Sequence, residues 1–115
     1  MSKRILIVED EPLIAMMLED FLDEAGMTAV GTADTVASAI ASADEGGIDA
    51  AILDVNLSGG ETSFPVAQKL ADANIPFVFA TGGSGDTIPP EWRDRPQLSK
   101  PYTMEGVVAA IEGLA

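Results

Sequence analysis

Residues 51–60 read AILDVNLSGG. An apolar run ends on a carboxylate, Asp54, and Ser58, Gly59 and Gly60 follow as a turn. A charge inside a packed strand is costly unless it is partnered. Asp54 therefore marks the point where this strand, over residues 48–55, leaves the core. The same grammar recurs along the chain. Residues 5–8, ILIV, suit a short strand buried on both faces and run into Glu9, Asp10 and Glu11. Residues 75–81, IPFVFAT, read as a strand that finishes on Thr81. Residues 97–100 form a short strand ending on Lys100, with Pro101 next. Residues 27–33, MTAVGTA, make a weaker strand.

Between the strands the period changes from two to about 3.6. Pro12 fits a first helical turn, Ile14, Met17, Leu18, Phe21, Leu22 and Ala25 follow at helical spacing, and Gly26 supplies a stop. Residues 35–45 form a second helix with Val36 and Ile40 on its pattern, ended by Gly46 and Gly47. Residues 62–74 form a third, with Pro65 near its start. Residues 103–114 close the chain, with Val107, Val108, Ile111 and Leu114 on one side. Strand and helix alternate, which predicts βαβ crossovers, an α/β fold and a parallel sheet covered on both faces. Residues 82–96, GGSGDTIPPEWRDRP, break the rhythm. Glycine and proline both oppose helix interiors, so at most a turn over residues 90–94 is expected there.

The 115 residues suit one domain, 1–115, and 47% hydrophobic residues suffice for a core. The absence of cysteine and histidine excludes disulfides, thiolate or imidazole metal sites and a Ser-His-Asp triad. A net charge of −13 argues against nucleic acid and anionic membranes as partners and favours proteins or cations. The N-terminal apolar run is too short for a signal peptide, and no stretch reaches transmembrane length, so a soluble cytoplasmic protein is expected.

In an open parallel sheet, ligands bind at the carboxyl ends of the strands. Those ends carry Glu9 and Asp10, Asp54 with Asn56 two residues on, Thr81, and Lys100; the second strand offers no obvious group. Gathered carboxylates repel by roughly 4 kcal/mol per pair at about 4 Å and an effective dielectric near 20. Lys100 can offset this, and Mg²⁺ would do so better, because every available ligand is oxygen. A carboxylate beside Mg²⁺ and an ammonium is a competent nucleophile toward phosphorus, and the Thr81 hydroxyl can hydrogen-bond the transferred group. Plainer readings exist for each residue alone. Asp54 would be a loop-capping acid, Glu9 to Glu11 would complement a helix N-terminus, and Lys100 would be solvated. Their coincidence at matching strand ends favours the chemical reading.

In order and spacing these residues resemble the receiver domain of two-component response regulators, over almost the whole chain. The resemblance implies a flavodoxin-like doubly wound sheet of order 2-1-3-4-5, with the fourth helix shortened or missing. It implies a switch rather than an enzyme. Asp54 would accept a phosphoryl group from a histidine kinase or histidine phosphotransfer protein. Asp10 would bind Mg²⁺, with Glu9, Asp54 and the Asn56 carbonyl assisting. Thr81 and Lys100 would contact the phosphoryl group, and a cis Pro101 would place the lysine. Output would pass to an unknown downstream protein by altered binding, no output domain being expected in the chain. Residues 79–82, FATG, also resemble a subgroup of single-domain regulators, although Gly83 stands where its tyrosine would be. Receivers commonly carry an aromatic three residues before the lysine; here it is Gln97, and Trp92 or Tyr102 is the candidate substitute. Leu13 and Met16 lie off the apolar stripe of the first helix and are either ordinary exposed surface or a docking patch for the phosphodonor. The rival functions are a phosphorylation-independent binding module and an aspartate-nucleophile phosphatase. The second lacks a general acid, since Asn56 occupies the place two residues after Asp54.

Overall fold

The structure is a computed structural model that describes residues 3–81, 88–92, 95–99 and 102–114. Its five strands are β1 (Arg4–Val8), β2 (Thr28–Ala33), β3 (Ala50–Asp54), β4 (Phe77–Thr81) and β5 (Gln97–Ser99). All neighbours run parallel, in the order β2-β1-β3-β4-β5. The helices are α1 (Pro12–Glu24), α2 (Val36–Glu45), α3 (Phe64–Asp72) and α4 (Met104–Glu112).

Strand periodicity builds both faces of the core. Ile5 and Ile7, Ala50 and Ile52, and Val78 and Ala80 face α1 and α4, where they meet Leu18, Leu22, Val107 and Ile111. Leu6 and Val8, Ala51 and Leu53, and Phe77 and Phe79 face α2 and α3, where they meet Ala39, Val66, Ala67 and Leu70. The three central strands are buried on both sides, which is why they read as continuous apolar runs. β2, the weaker reading, lies at an edge and carries a register shift opposite Ile5 and Leu6.

Element starts are set by capping and by proline. Thr35 caps α2 in a capping box with Ser38, and Thr103 caps α4 by accepting from the Gly106 N–H at 3.0 Å. Both helices thus begin one residue later than the sequence reading placed them. β4 starts at Phe77 because Pro76 has no N–H to give the ladder. β3 starts at Ala50, two residues later than its apolar pattern suggested. The preceding Asp49 instead ties to Arg4, its N–H to the Arg4 carbonyl at 2.7 Å and its carboxylate to the Arg4 N–H at 2.8 Å.

Among its described residues, the Gly/Pro-rich interval forms one 3-10 turn, Pro90–Trp92. The Trp92 side chain is buried and meets Phe77 edge-on, ring centroids 5.8 Å apart. The Arg95 guanidinium lies 4.6 Å above the Phe77 ring centroid and 5.7 Å from that of Trp92. Ile88 joins Trp92 in the same core layer. One turn, two apolar side chains and a stacked cation therefore seal this part of the sheet. Residues 82–87 of the interval lie outside the described residues.

Candidate functional site

β1 and β3 are adjacent and in register, with Val8 opposite Leu53. The residues just beyond that pair, Glu9 and Asp54, therefore reach the carboxyl edge side by side, and Asp10 follows. One carboxylate oxygen from each of Glu9, Asp10 and Asp54 lies within 4.8 Å of the other two. Glu9 and Asp54 are buried, and Asp10 is partly exposed. Two backbone contacts fix the Glu9 end. Its N–H donates to the Ala33 carbonyl of β2 at 2.9 Å, and its Oε2 accepts from the Asp10 N–H at 3.0 Å. At 4.8 Å each ionised pair repels by roughly 3.5 kcal/mol at an effective dielectric of about 20. A buried, all-oxygen, anionic set of this kind fits a hard divalent cation such as Mg²⁺.

The loop after β3 is closed on itself. Asn56 and Thr62 form an isolated antiparallel bridge. The bonds that make it are Leu57 N–H to the Glu61 carbonyl, 2.8 Å, and Ser63 N–H to the Val55 carbonyl, 2.9 Å. Neither draws on the Asn56 carbonyl, the group the resemblance assigns to the metal. Val55 and Leu57 point into the core, and Gly59 and Gly60 carry φ of 76° and 80°, so the chain reverses where a side chain would be strained. Asn56 is exposed at the top of this loop.

Thr81 ends β4, partly exposed and one residue past Ala80, which pairs with Asp54. The edge thus brings together Glu9, Asp10 and Asp54, with Asn56 and Thr81 on the flanks. Lys100 and Pro101 lie outside the described residues. Gln97 is exposed in β5 opposite Phe79, and Tyr102 is buried among the α4-side core residues. Among the described residues, Leu13 and Met16 are the large apolar side chains that stand in solvent, 79% and 58% exposed.

Two residues that the sequence reading passed over also belong to this edge. Asp34, next after β2, lines a cleft of about 240 Å³ with Glu9, Asp10, Pro12, Ala15, Thr32 and Ala33. Its signal was legible, since an acid follows the strand there as it does after β1. Glu61 contacts α2 from the β3–α3 loop, its carboxylate accepting from the Val36 N–H at 3.2 Å. No sequence pattern announces a contact between residues 25 positions apart.

A five-stranded, doubly wound α/β domain with three clustered carboxylates at its carboxyl edge is the architecture of a receiver-type signalling domain. Residues 5–112 match the response regulator receiver domain, and the chain belongs to that family of two-component signalling proteins. Among solved structures it is similar to SdrG from Sphingomonas melonis Fr1. Identity is 65%, coverage is 96% of this chain and 94% of that one, and the TM-score is 0.87. A structure titled as the BeF3-activated conformation of SdrG from Pseudomonas melonis Fr1 matches with 65% identity, 97% coverage of both chains and a TM-score of 0.82. Among curated proteins, the phyllosphere-induced regulator PhyR of Methylorubrum extorquens is 33% identical over 115 residues, covering 96% of this chain and 43% of PhyR. The chain spans about half the length of the curated relatives it matches, between 43% and 55%. Among the described residues, no helix is long and apolar enough to cross a membrane.

Proposed function

We propose that the chain, as one receiver domain over residues 1–115, takes a phosphoryl group on Asp54 from a phosphohistidine and passes the change on as altered protein binding. The observation that carries this reading is the juxtaposition of Asp54 with Glu9 and Asp10, oxygens within 4.8 Å, at the strand edge where such folds bind ligands. An Asp54 carboxylate oxygen attacks phosphorus, the phosphorus–nitrogen bond breaks, and its electron pair returns to the donor imidazole, which takes up a proton. The product is an acyl phosphate. Asp10, Glu9 and Asp54 would hold Mg²⁺ with the Asn56 carbonyl, and the metal would neutralise charge on the equatorial phosphoryl oxygens. Thr81 contributes a hydroxyl to the phosphoryl group and Lys100 its ammonium. Chemistry of this kind is supported by the likeness to SdrG, for which a BeF3-activated conformation exists.

The donor is a histidine kinase or phosphotransfer protein, and it docks on α1 over Leu13 and Met16, beside the site. The acidity of the chain disfavours nucleic acid as a direct partner. Phosphorylation adds negative charge at Asp54, and the surrounding loops and the Pro90–Trp92 turn rearrange around it. The deciding experiment is intact-mass detection of phosphorylation with a cognate donor and with acetyl phosphate. D54N abolishes labelling from both, and so does removal of Mg²⁺. L13D slows transfer from the protein donor by tenfold or more and leaves acetyl phosphate labelling unchanged. Labelling that survives D54N overturns the assignment.

A further inference from the structure

We propose that Glu61 is a positioning residue for the Mg²⁺ site, a clasp that holds the β3–α3 loop against α2 across the end of β1. This rests on the reading of Asp54, Asp10 and Glu9 as metal ligands, and adds to it the device that sets the height of the Asn56 carbonyl above them. Glu61 is tied twice. Its backbone carbonyl accepts from the Leu57 N–H at 2.8 Å and so closes the loop that carries Asn56. Its side-chain carboxylate accepts from the Val36 N–H at 3.2 Å, at the first residue of α2.

The α2 terminus has a specific need for that acceptor. The Thr35–Ser38 capping box satisfies the Ser38 N–H and the Thr35 N–H, and leaves the Val36 N–H outside it. α2 has no acidic residue in its own first turn. The acceptor that the Val36 N–H lacks locally is supplied from 25 residues away. The consequence is mechanical. α2 follows Ala33 and Asp34, which line the cleft with Glu9 and Asp10, and Ala33 also holds the Glu9 N–H. One wall of the cleft and the Asn56 loop are therefore fixed to each other by a residue that is itself exposed. With the clasp broken, the loop keeps its internal bridge but loses its fixed distance from β1.

The test separates the hydrogen bond from the charge. Unphosphorylated wild type, E61A and E61Q are titrated with MgCl₂ and followed by amide NMR shifts at residues 9–10 and 54–57, with Val36 amide exchange measured alongside. The E61Q amide oxygen can accept the same bond without the charge. E61A is expected to weaken Mg²⁺ by about fivefold, the worth of one ordinary hydrogen bond, and to speed Val36 exchange. E61Q is expected to stay within about twofold of wild type on both measures. Equal weakening in both variants assigns the effect to charge and overturns the clasp. So does an E61A affinity equal to wild type. A wild-type chain with no Mg²⁺-dependent shifts overturns the metal reading itself, and that outcome is distinct because the Val36 exchange comparison needs no metal.

Discussion

Ser63 shows how the site taxes the fold at the scale of a single residue. It stands just before α3, fully buried, and its backbone N–H closes the acceptor loop on Val55. Its hydroxyl has no hydrogen-bond partner among the described residues. A buried hydroxyl left unpaired costs on the order of 1–3 kcal/mol, whereas replacing it by an apolar group of similar shape removes that penalty. S63A is therefore expected to be no less stable than wild type, and more stable by up to about 1 kcal/mol after the lost volume is counted. Urea unfolding checks this, since m stays constant and the midpoint rises. A midpoint lowered by the equivalent of about 1 kcal/mol would mean that the hydroxyl is satisfied and holds the loop. The backbone bond is untouched by the change, so Mg²⁺ affinity is expected to hold. The contrast with Glu61 is instructive: there the side chain carries the contact, and here the main chain does.

Among the elements, the Pro90–Trp92 turn buries its aromatic side chain from only three residues. A helix covers a strand with a stripe of side chains, and this turn relies on Trp92, with Ile88 beside it and Arg95 stacked outside. W92A is expected to cost about 3–5 kcal/mol, the usual penalty for deleting a buried aromatic side chain. R95A is expected to cost less than about 1 kcal/mol, because its stacking is partly exposed. Thermal or urea unfolding separates the two, and equal losses would assign the stability to the cation instead of the ring. The sequence announced this turn only by exclusion: glycines and prolines ruled out a helix, while nothing local showed that Trp92 would land on Phe77. The other elements were legible because their strands are buried on both faces and their helices amphipathic, patterns that survive in one dimension. Glu9, Asp10, Asp54 and Thr81 were legible for a related reason, since each ends a recognisable strand. Glu61 was not, because its contact depends on how two loops lie in space. β3 and β4 began later than their apolar runs, where the Asp49 side chain binds the Arg4 N–H and Pro76 has no N–H to donate.

For the whole molecule the governing quantity is a net charge of −13 from 19 acids and 6 bases. Among the described residues one ion pair is formed, Lys69 with Asp44, between α3 and α2, and both side chains are largely exposed. Such a pair contributes less than about 1 kcal/mol. A net charge this large favours self-repulsion in the compact state, and screening should favour folding. Raising NaCl from about 10 mM to about 150 mM shortens the Debye length from roughly 30 Å to 8 Å. The melting temperature is expected to rise over that interval. Mg²⁺ acts on top of this through binding, stabilising by RT ln(1 + [Mg²⁺]/Kd). At matched ionic strength the wild type should gain further in MgCl₂ over NaCl. D10N removes one carboxylate from the cluster and separates the two effects. In NaCl it should melt higher than wild type, because a repelling charge is gone, and relief of about 1 kcal/mol corresponds to roughly 3–6 °C in a domain of this size. The extra gain in MgCl₂ should shrink sharply, since loss even of an outer-shell partner weakens metal sites by about tenfold or more. Scanning calorimetry in the two salts reads both signs at once. A D10N chain that melts lower in NaCl would show that Asp10 stabilises the metal-free fold, and one that keeps the full MgCl₂ gain would place the cation elsewhere than at Asp10. The opposed signs are the signature of a functional cluster, in which the metal-free fold gives up stability to hold charges where the phosphoryl group will need them.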